Sequence, residues 1–283
     1  MLIKLDHAAK RYGDFALDCT LEVREGYVTG LVGANGSGKT TTFKTLLGLI
    51  DRDGGTAEVF GKDAASLTPA DRARMGVMLA DAGFSGYIDL RAVADIQAAL
   101  YQNFDKAAFL KKCKEYDLDT KKQLRRLSRG MRTKAQLLCA LSHGADLLLL
   151  DEPTSGLDVV ARDEILDLLR SYMQQEGRGI LISSHISSDL EGLCDDVYMI
   201  DRGKIVLHED TDRLLARYGL LKLDESAFEA LDKSRVLRTK KESWGVSCLT
   251  DDRAYYEAVP GLVVDRAGID TVITMMIRGE AKR

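Results

Sequence analysis

Through residues 1–62 the apolar positions come in short runs closed by turn residues: Leu2-Ile3-Lys4-Leu5, Phe15-Ala16-Leu17 through Leu21-Glu22-Val23, then Val28-Thr29-Gly30-Leu31-Val32. Such runs predict strands. A helix is expected from Lys39 to about Leu49, a turn at Asp51-Arg52-Asp53-Gly54-Gly55, and one more strand at Ala57-Glu58-Val59-Phe60-Gly61. From about Ile88 to Gly144 the period lengthens, with Leu90, Val93, Ile96 and Leu100 on one side of a helix and Phe109, Leu110, Cys113 and Tyr116 on the next. Leu147-Leu148-Leu149-Leu150 and Gly179-Ile180-Leu181-Ile182 are too short for buried helices between their flanking signals and read as strands buried on both faces. Strand and helix then alternate, which predicts an α/β domain with a parallel sheet.

Val197-Tyr198-Met199-Ile200 and Lys204-Ile205-Val206-Leu207, joined at Asp201-Arg202-Gly203, predict a closing hairpin. Beyond about Tyr218 the texture changes. Asp224 is placed to cap a short helix through Leu231, Trp244 to Leu249 reads as a strand, and Ile269 to Ile277 as another helix. The organisation expected is a large domain over residues 1–215, with a helical part at about 84–140, and a small α+β appendage over 216–283.

Composition narrows the function. The 283 residues carry 40 Lys and Arg against 44 Asp and Glu, a formal charge of -4, so no basic footprint for nucleic acid is present. Five cysteines, Cys19, Cys113, Cys139, Cys194 and Cys248, are scattered and odd in number, which argues against a disulfide framework or a zinc site and predicts reduced thiols. The opening residues lack a signal-peptide core, and no run approaches the ~18 apolar residues of a membrane span. A soluble chain is expected, one that needs a partner for any work at a membrane.

The chemistry begins at Gly33-Ala34-Asn35-Gly36-Ser37-Gly38-Lys39-Thr40, which fits G-x-x-x-x-G-K-[ST] between a strand and a helix. Gly33, Gly36 and Gly38 let backbone N–H groups approach phosphate oxygens, and the helix N-terminus adds its own. Lys39 reaches the β and γ groups, and the Thr40 hydroxyl is a Mg²⁺ ligand. Asp151 ends a hydrophobic strand, where a carboxylate can hold Mg²⁺, and Glu152 beside it can orient or deprotonate an attacking water. Taken alone, Ser128 reads first as an N-cap, with no Glu or Gln three residues on, and His185 reads as a structural histidine as readily as a catalytic one.

In order, these segments resemble the nucleotide-binding subunits of ATP-binding cassette (ABC) transporters over about residues 2–215. Walker A is Gly33 to Thr40, the signature Leu127 to Met131, Walker B Leu147 to Asp151 followed by Glu152, the D-loop Ser155-Gly156-Leu157-Asp158, and the switch His185. The resemblance implies a P-loop NTPase with a RecA-like core, an antiparallel β subdomain and a helical insert. It implies ATP and Mg²⁺, the nucleotide held by Asn35, Ser37 and Thr41 together with the glycines, Lys39 and Thr40, and adenine stacked on Tyr12. It further implies a head-to-tail homodimer or heterodimer in which Ser128 and Gly130 meet the γ-phosphate of the opposite ATP and Asp158 faces across the interface. His185 would contact the γ-phosphate and support Glu152.

Two places depart from the family pattern. Arg129 and Met131 replace residues of Leu-Ser-Gly-Gly-Gln, a version that resembles a bacterial branch of exporter ATPases for drugs and antimicrobial peptides, as do residues 99–105 and 183–191. Ala80 stands where the family places Gln or, in this branch, Glu; Asp81 beside it is the alternative carboxylate. The expected protein is an ATP-hydrolysing subunit, cytoplasmic and peripheral on the inner face of the membrane, docked through its helical insert on a separate permease. The alternative kept open by Ala80 is a non-transport or regulatory ABC ATPase with weak hydrolysis. The tail carries no mechanism at this level.

Overall fold

The computed structural model describes residues 1–80, 82–185 and 190–281. Asp81 and the exporter-like residues 186–189 lie outside that range. Among the described residues, β1 (Ile3–Tyr12), β2 (Phe15–Val23), β3 (Val28–Val32), β4 (Gly54–Val59), β5 (Lys62–Asp63), β6 (Met75–Met78), β7 (Leu147–Asp151), β8 (Gly179–Ser184), β9 (Asp196–Asp201) and β10 (Lys204–Asp210) form one mixed sheet. Its order is β5-β4-β1-β2-β10-β9-β3-β8-β7-β6. The half from β9 to β6 is parallel, the half around β1 antiparallel.

Strands β3, β7 and β8 are buried at every position, as their unbroken apolar runs require. Helix α1 (Lys39–Leu46) follows β3 and stops before Leu49: Gly48 takes φ 62°, its N–H donates to Thr45 O at 3.1 Å, and Leu49 N–H reaches Lys44 O at 2.9 Å. This paired closure ends the helix one turn early. The hairpin turn at Arg202-Gly203 has φ 46° and 79°, the left-handed pair that suits a two-residue connection. It also touches the phosphate loop, because Gly203 N–H donates to Ser37 O at 2.7 Å.

The short α2 (Pro69–Arg72) precedes β6, and the helical part follows it as α3 (Leu90–Leu100), α4 (Lys106–Glu115) and α5 (Arg129–Leu141). Asp89, Asp105 and Ser128 cap these three helices through N–H groups of the first turn. The face expected of α3 is half right. Leu90 and Val93 are fully buried with Ala94, but the stripe continues through Gln97 while Ile96 and Leu100 are 40% and 68% exposed. In α4, Phe109 and Cys113 enter the core and Leu110 and Tyr116 pack at its margin.

After α6 (Val159–Tyr172) and the last strands of the large sheet, α7 (Thr211–Arg217) carries the chain across position 215. The C-terminal unit holds β11 (Gly219–Leu223), α8 (Glu225–Ala230), β12 (Val236–Glu242), β13 (Gly245–Thr250), α9 (Arg253–Glu257), β14 (Val264–Arg266), α10 (Ile269–Arg278) and β15 (Glu280–Ala281). Asp224 caps α8, as its position foretold. The strands form an antiparallel sheet in the order β14-β11-β13-β12-β15. Val246 and Cys248 face a small core with Leu221 and Tyr256, whereas Leu249 on the opposite face joins Ile269, Val272 and Met275 of α10 in the main core. Alternation along β13 thus assigns one face to each layer. All five cysteines are free and buried.

Candidate active site

The parallel register sets Val32 beside Ser184 and Asp151 beside Ser183. The carboxyl ends of β3, β8 and β7 therefore deliver the glycine loop, His185 and the Asp151-Glu152 pair to one edge of the sheet, where open α/β sheets bind ligands. Two glycines shape the loop. At Gly33 a Cβ would lie 2.3 Å from Ile200 O, and Gly38 opens α1 with φ 118°.

Lys39 is buried, and its ammonium donates to Gly33 O at 2.7 Å and Ala34 O at 3.2 Å. Glu152 Oε1 lies 3.2 Å from the same nitrogen. The Thr40 hydroxyl donates to Asp151 Oδ2 at 2.7 Å, and Ser183 Oγ donates to Asp151 Oδ1 at 2.6 Å. Ser183 Oγ also accepts the Glu152 N–H at 3.0 Å, so one hydroxyl joins both acids. Asp151 is fully buried; these two hydroxyls satisfy its oxygens.

Glu152 has φ 56°, a left-handed conformation that costs an L-residue about 1–2 kcal/mol. The Ser183 bond and the Ser155 N–H donated to Glu152 O at 3.2 Å hold it there. His185 N–H reaches Glu152 Oε2 at 3.3 Å, and the ring's Nδ1 lies 2.5 Å from the same oxygen. A carboxylate only accepts, so Nδ1 is the donor in this contact.

A cleft around the loop is lined by Tyr12, Asn35, Gly36, Gly38, Lys39, Thr40, Thr41, Ala80 and Glu152. Tyr12 is half exposed there, with Lys10 Nζ 5.6 Å from its ring centre. A second cleft adjoins it and is walled by Asp151, Glu152 and His185 on one side and Arg129, Arg132 and Gln136 of α5 on the other. Ala80 contributes no polar group to either. From α5, Gln136 Nε2 donates to Ala82 O at 3.4 Å.

Three further sequence-predicted residues are absent from the lining of these clefts. Ser128 accepts the Met131 N–H at 3.2 Å and Asp158 accepts the Ala161 N–H at 2.8 Å, each capping its own helix. A Cβ on Gly130 would lie 3.2 Å from that of Ala161, so the starts of α5 and α6 abut. None of the three lines the clefts beside Lys39 and Glu152. Val159 and Val160 next to them are each 70% exposed. Ser183 lies in the stretch 183–191 singled out from the sequence, but no role is assigned to it there; its signal is a polar residue at the end of an otherwise apolar buried strand.

A family model described as ABC transporter matches residues 17–155. The chain is 34% identical over 220 residues to the bacitracin transport ATP-binding protein BcrA of Bacillus licheniformis, covering 76% of this chain and 72% of that one. The chain belongs to the ABC transporter ATP-binding family. Within the family it is 33% identical to the daunorubicin resistance ATP-binding protein DrrA3 of Streptomyces coeruleorubidus over 81% of this chain and 74% of that one. It is an ABC-type ATPase subunit. A solved ATP-binding subunit of an ABC transporter superposes with a TM-score of 0.68 at 24% identity, over 76% of this chain and 92% of that one. A dimeric post-hydrolysis cassette with ADP and Pi gives 0.66 at 18% identity, over 74% and 99%. At those identities the likeness is one of fold, and it identifies the P-loop NTPase architecture.

Proposed function

We propose that this ABC subunit drives a separate membrane permease of an exporter by hydrolysing ATP between two cassettes. The observation that carries the reading is the convergence of Lys39, Thr40, Asp151, Glu152 and His185 on one sheet edge. Gly33, Asn35, Gly36, Ser37, Gly38 and Thr41 wrap the phosphates, Lys39 neutralises their charge, and Tyr12 stacks on adenine. The hard oxygen donors Thr40 and Asp151, 2.7 Å apart, suit Mg²⁺, which would balance phosphate charge there. Glu152 orients the attacking water and takes its proton, and His185 keeps that carboxylate aimed.

Ser128, Gly130 and Asp158 work on the opposite nucleotide. Their absence from the lining of this chain's own clefts, beside the exposed Val159 and Val160, suits an interface with a second cassette. The permease docks on the helical part, where Tyr87, Ile96 and Leu100 leave apolar surface uncovered. The chain acts at the inner face of the membrane through that contact; no described helix is long and apolar enough to cross it.

The test is Glu152→Gln. It should release no phosphate yet retain ATP and trap a dimer; normal turnover in that variant would remove Glu152 from the mechanism. A second reading, weak hydrolysis with a mainly regulatory role, is favoured by Ala80 alone. Steady-state hydrolysis with and without the co-purified membrane protein separates the two.

A further inference from the structure

Between β7 and α6 the chain makes one tight passage, Glu152 to Asp158, and the amino end of α5 lies against it. Glu152 and Gly156 both take left-handed φ, 56° and 68°, so the backbone bends twice in a short span. Ser155 N–H donates to Glu152 O at 3.2 Å, and Leu157 N–H donates to Thr154 O at 3.3 Å. Leu157 is buried, and Asp158 closes the passage by accepting the Ala161 N–H at 2.8 Å. Glu152 is thus tied on its carbonyl side to Ser155 and on its N–H side to Ser183.

Arg129, the first residue of α5, covers the second bend. Its Nη2 donates to Ser155 Oγ at 3.4 Å. Its guanidinium also fills the space above Gly156, where a Cβ would lie 2.3 Å from Nη1, 2.5 Å from Cζ and 3.0 Å from Nη2. Only bare backbone leaves room for that flat group. Further contacts seat α5 beside the passage: a Cβ on Gly130 would lie 3.2 Å from that of Ala161 and 3.9 Å from Leu157 Cδ2, and Lys134 pairs with Glu164 of α6. The route from α5 to the acid is therefore short, running from Arg129 to Ser155 Oγ and from Ser155 N–H to Glu152 O. A glycine at 129, as in Leu-Ser-Gly-Gly-Gln, has no side chain with which to make it.

We propose that Arg129 is a positioning residue for ATP hydrolysis: by holding Ser155 at the bend, it keeps Glu152 in the left-handed conformation from which its carboxylate meets His185. The inference rests on the assignment of Glu152 above. It gives the signature segment work on its own chain's acid in addition to the opposite nucleotide. Turnover then depends on the seat of α5, because a shift of that helix relative to α6 would withdraw Arg129 from Ser155.

The experiment measures phosphate release across ATP concentrations, with thermal unfolding alongside, for the full chain, Arg129→Ala, Arg129→Lys, Ser155→Ala and the double variant Arg129→Ala/Ser155→Ala. Arg129→Ala should lower kcat about tenfold with KM for ATP within about twofold, because the lost contact acts after binding. Lysine keeps the charge without the planar fork, so Arg129→Lys should stay within about twofold of Arg129→Ala. Ser155→Ala should lower kcat about fivefold, and the double variant should fall no more than about twofold below Arg129→Ala, since both changes remove one contact. Full recovery in Arg129→Lys, multiplicative losses in the double variant or a parallel rise in KM would mean that the charge of Arg129 acts on phosphate directly, and each overturns the proposal. So does unchanged kcat in Arg129→Ala or in Ser155→Ala. If Arg129→Ala fails to fold, Arg129→Lys and Ser155→Ala decide by the same criteria. A Glu152→Gln chain with normal turnover refutes the assignment of Glu152; an active wild type whose kcat ignores Arg129 refutes the positioning role alone.

Discussion

The Lys39 ammonium lies 3.2 Å from Oε1 of Glu152, so the cation proposed to meet phosphate and the carboxylate proposed to orient water form one ion pair. On the proposed function, phosphate oxygens would compete with Glu152 for the Lys39 ammonium. Lys39→Ala should therefore weaken ATP binding by about a hundredfold, the scale of losing a charge-assisted contact. Titration with a fluorescent ATP analogue measures it, and affinity within twofold of wild type would refute the role.

Ser183 joins Asp151 to the backbone of Glu152 through one hydroxyl. Ser183→Ala leaves a fully buried carboxylate oxygen with one partner fewer, a loss of about 1–3 kcal/mol. Chemical denaturation should show that cost, and phosphate release should fall with it because Glu152 loses a support for its left-handed backbone.

Capping and phosphate binding make different demands at Ser128. Ser128→Asp keeps an N-cap acceptor, so its stability should stay within about 0.5 kcal/mol of wild type, while Ser128→Ala should lose about 1 kcal/mol. Hydrolysis should collapse in the Asp variant, since a negative charge would face phosphate. Full turnover in Ser128→Asp would leave Ser128 a cap and nothing more.

Arg129 crowds Gly156, where φ is 68° and a Cβ would lie 2.3 Å from Nη1. Gly156→Ala should cost about 1–2 kcal/mol in backbone strain and also displace the guanidinium from Ser155 Oγ, 3.4 Å away. Adding Arg129→Gly should then cost no more than about 0.5 kcal/mol further, because the contact is already broken. A denaturant double-mutant cycle with additive losses would show that the two sites are independent.

His143 is buried against Tyr101, with Nδ1 3.4 Å from Cys139 O and Nε2 3.1 Å from Met75 O. Burial lowers its pKa below the ordinary 6.5, outweighing the carbonyl contacts that raise it. Below that pH the unfolded chain takes up a proton that the folded ring resists, so stability declines on acidification from about pH 6.5 toward the lower folded value. Above 6.5 this contribution is flat. The unfolding midpoint of His143→Gln should lose less between pH 7 and pH 5 than that of wild type.

The glycine loop was legible because its chemistry is contiguous: the residues from Gly33 to Thr40 carry strand end, loop and helix start in one stretch. The buried strands ending at Asp151 and Ser184 were legible from length and apolarity. Ser183 was not, since its role depends on the register that sets it beside Asp151. Ile96 and Leu100 misled for a different reason, as periodicity reports apolar positions and not what covers them, and here the fold leaves them bare. Strand β12 escaped because Arg238-Thr239-Lys240-Lys241-Glu242 has a polar texture that reads as loop, yet it pairs with β13 along its length. Tail packing is long-range, and no local pattern announced that Ile269 N–H donates to Glu191 Oε1.

The cysteines give the molecule an experimental convenience. Burial raises Cys19 to about 12 and Cys113 and Cys248 each to about 11, and it also raises Cys139 and Cys194. A maleimide reacts with thiolate, which these five scarcely supply while the fold is intact. A cysteine placed at the exposed Trp244 turn and another at exposed Leu100 would thus be labelled against a silent background. Fluorophores at those points would form a ruler from the appendage to the proposed docking face, readable through a full turnover cycle.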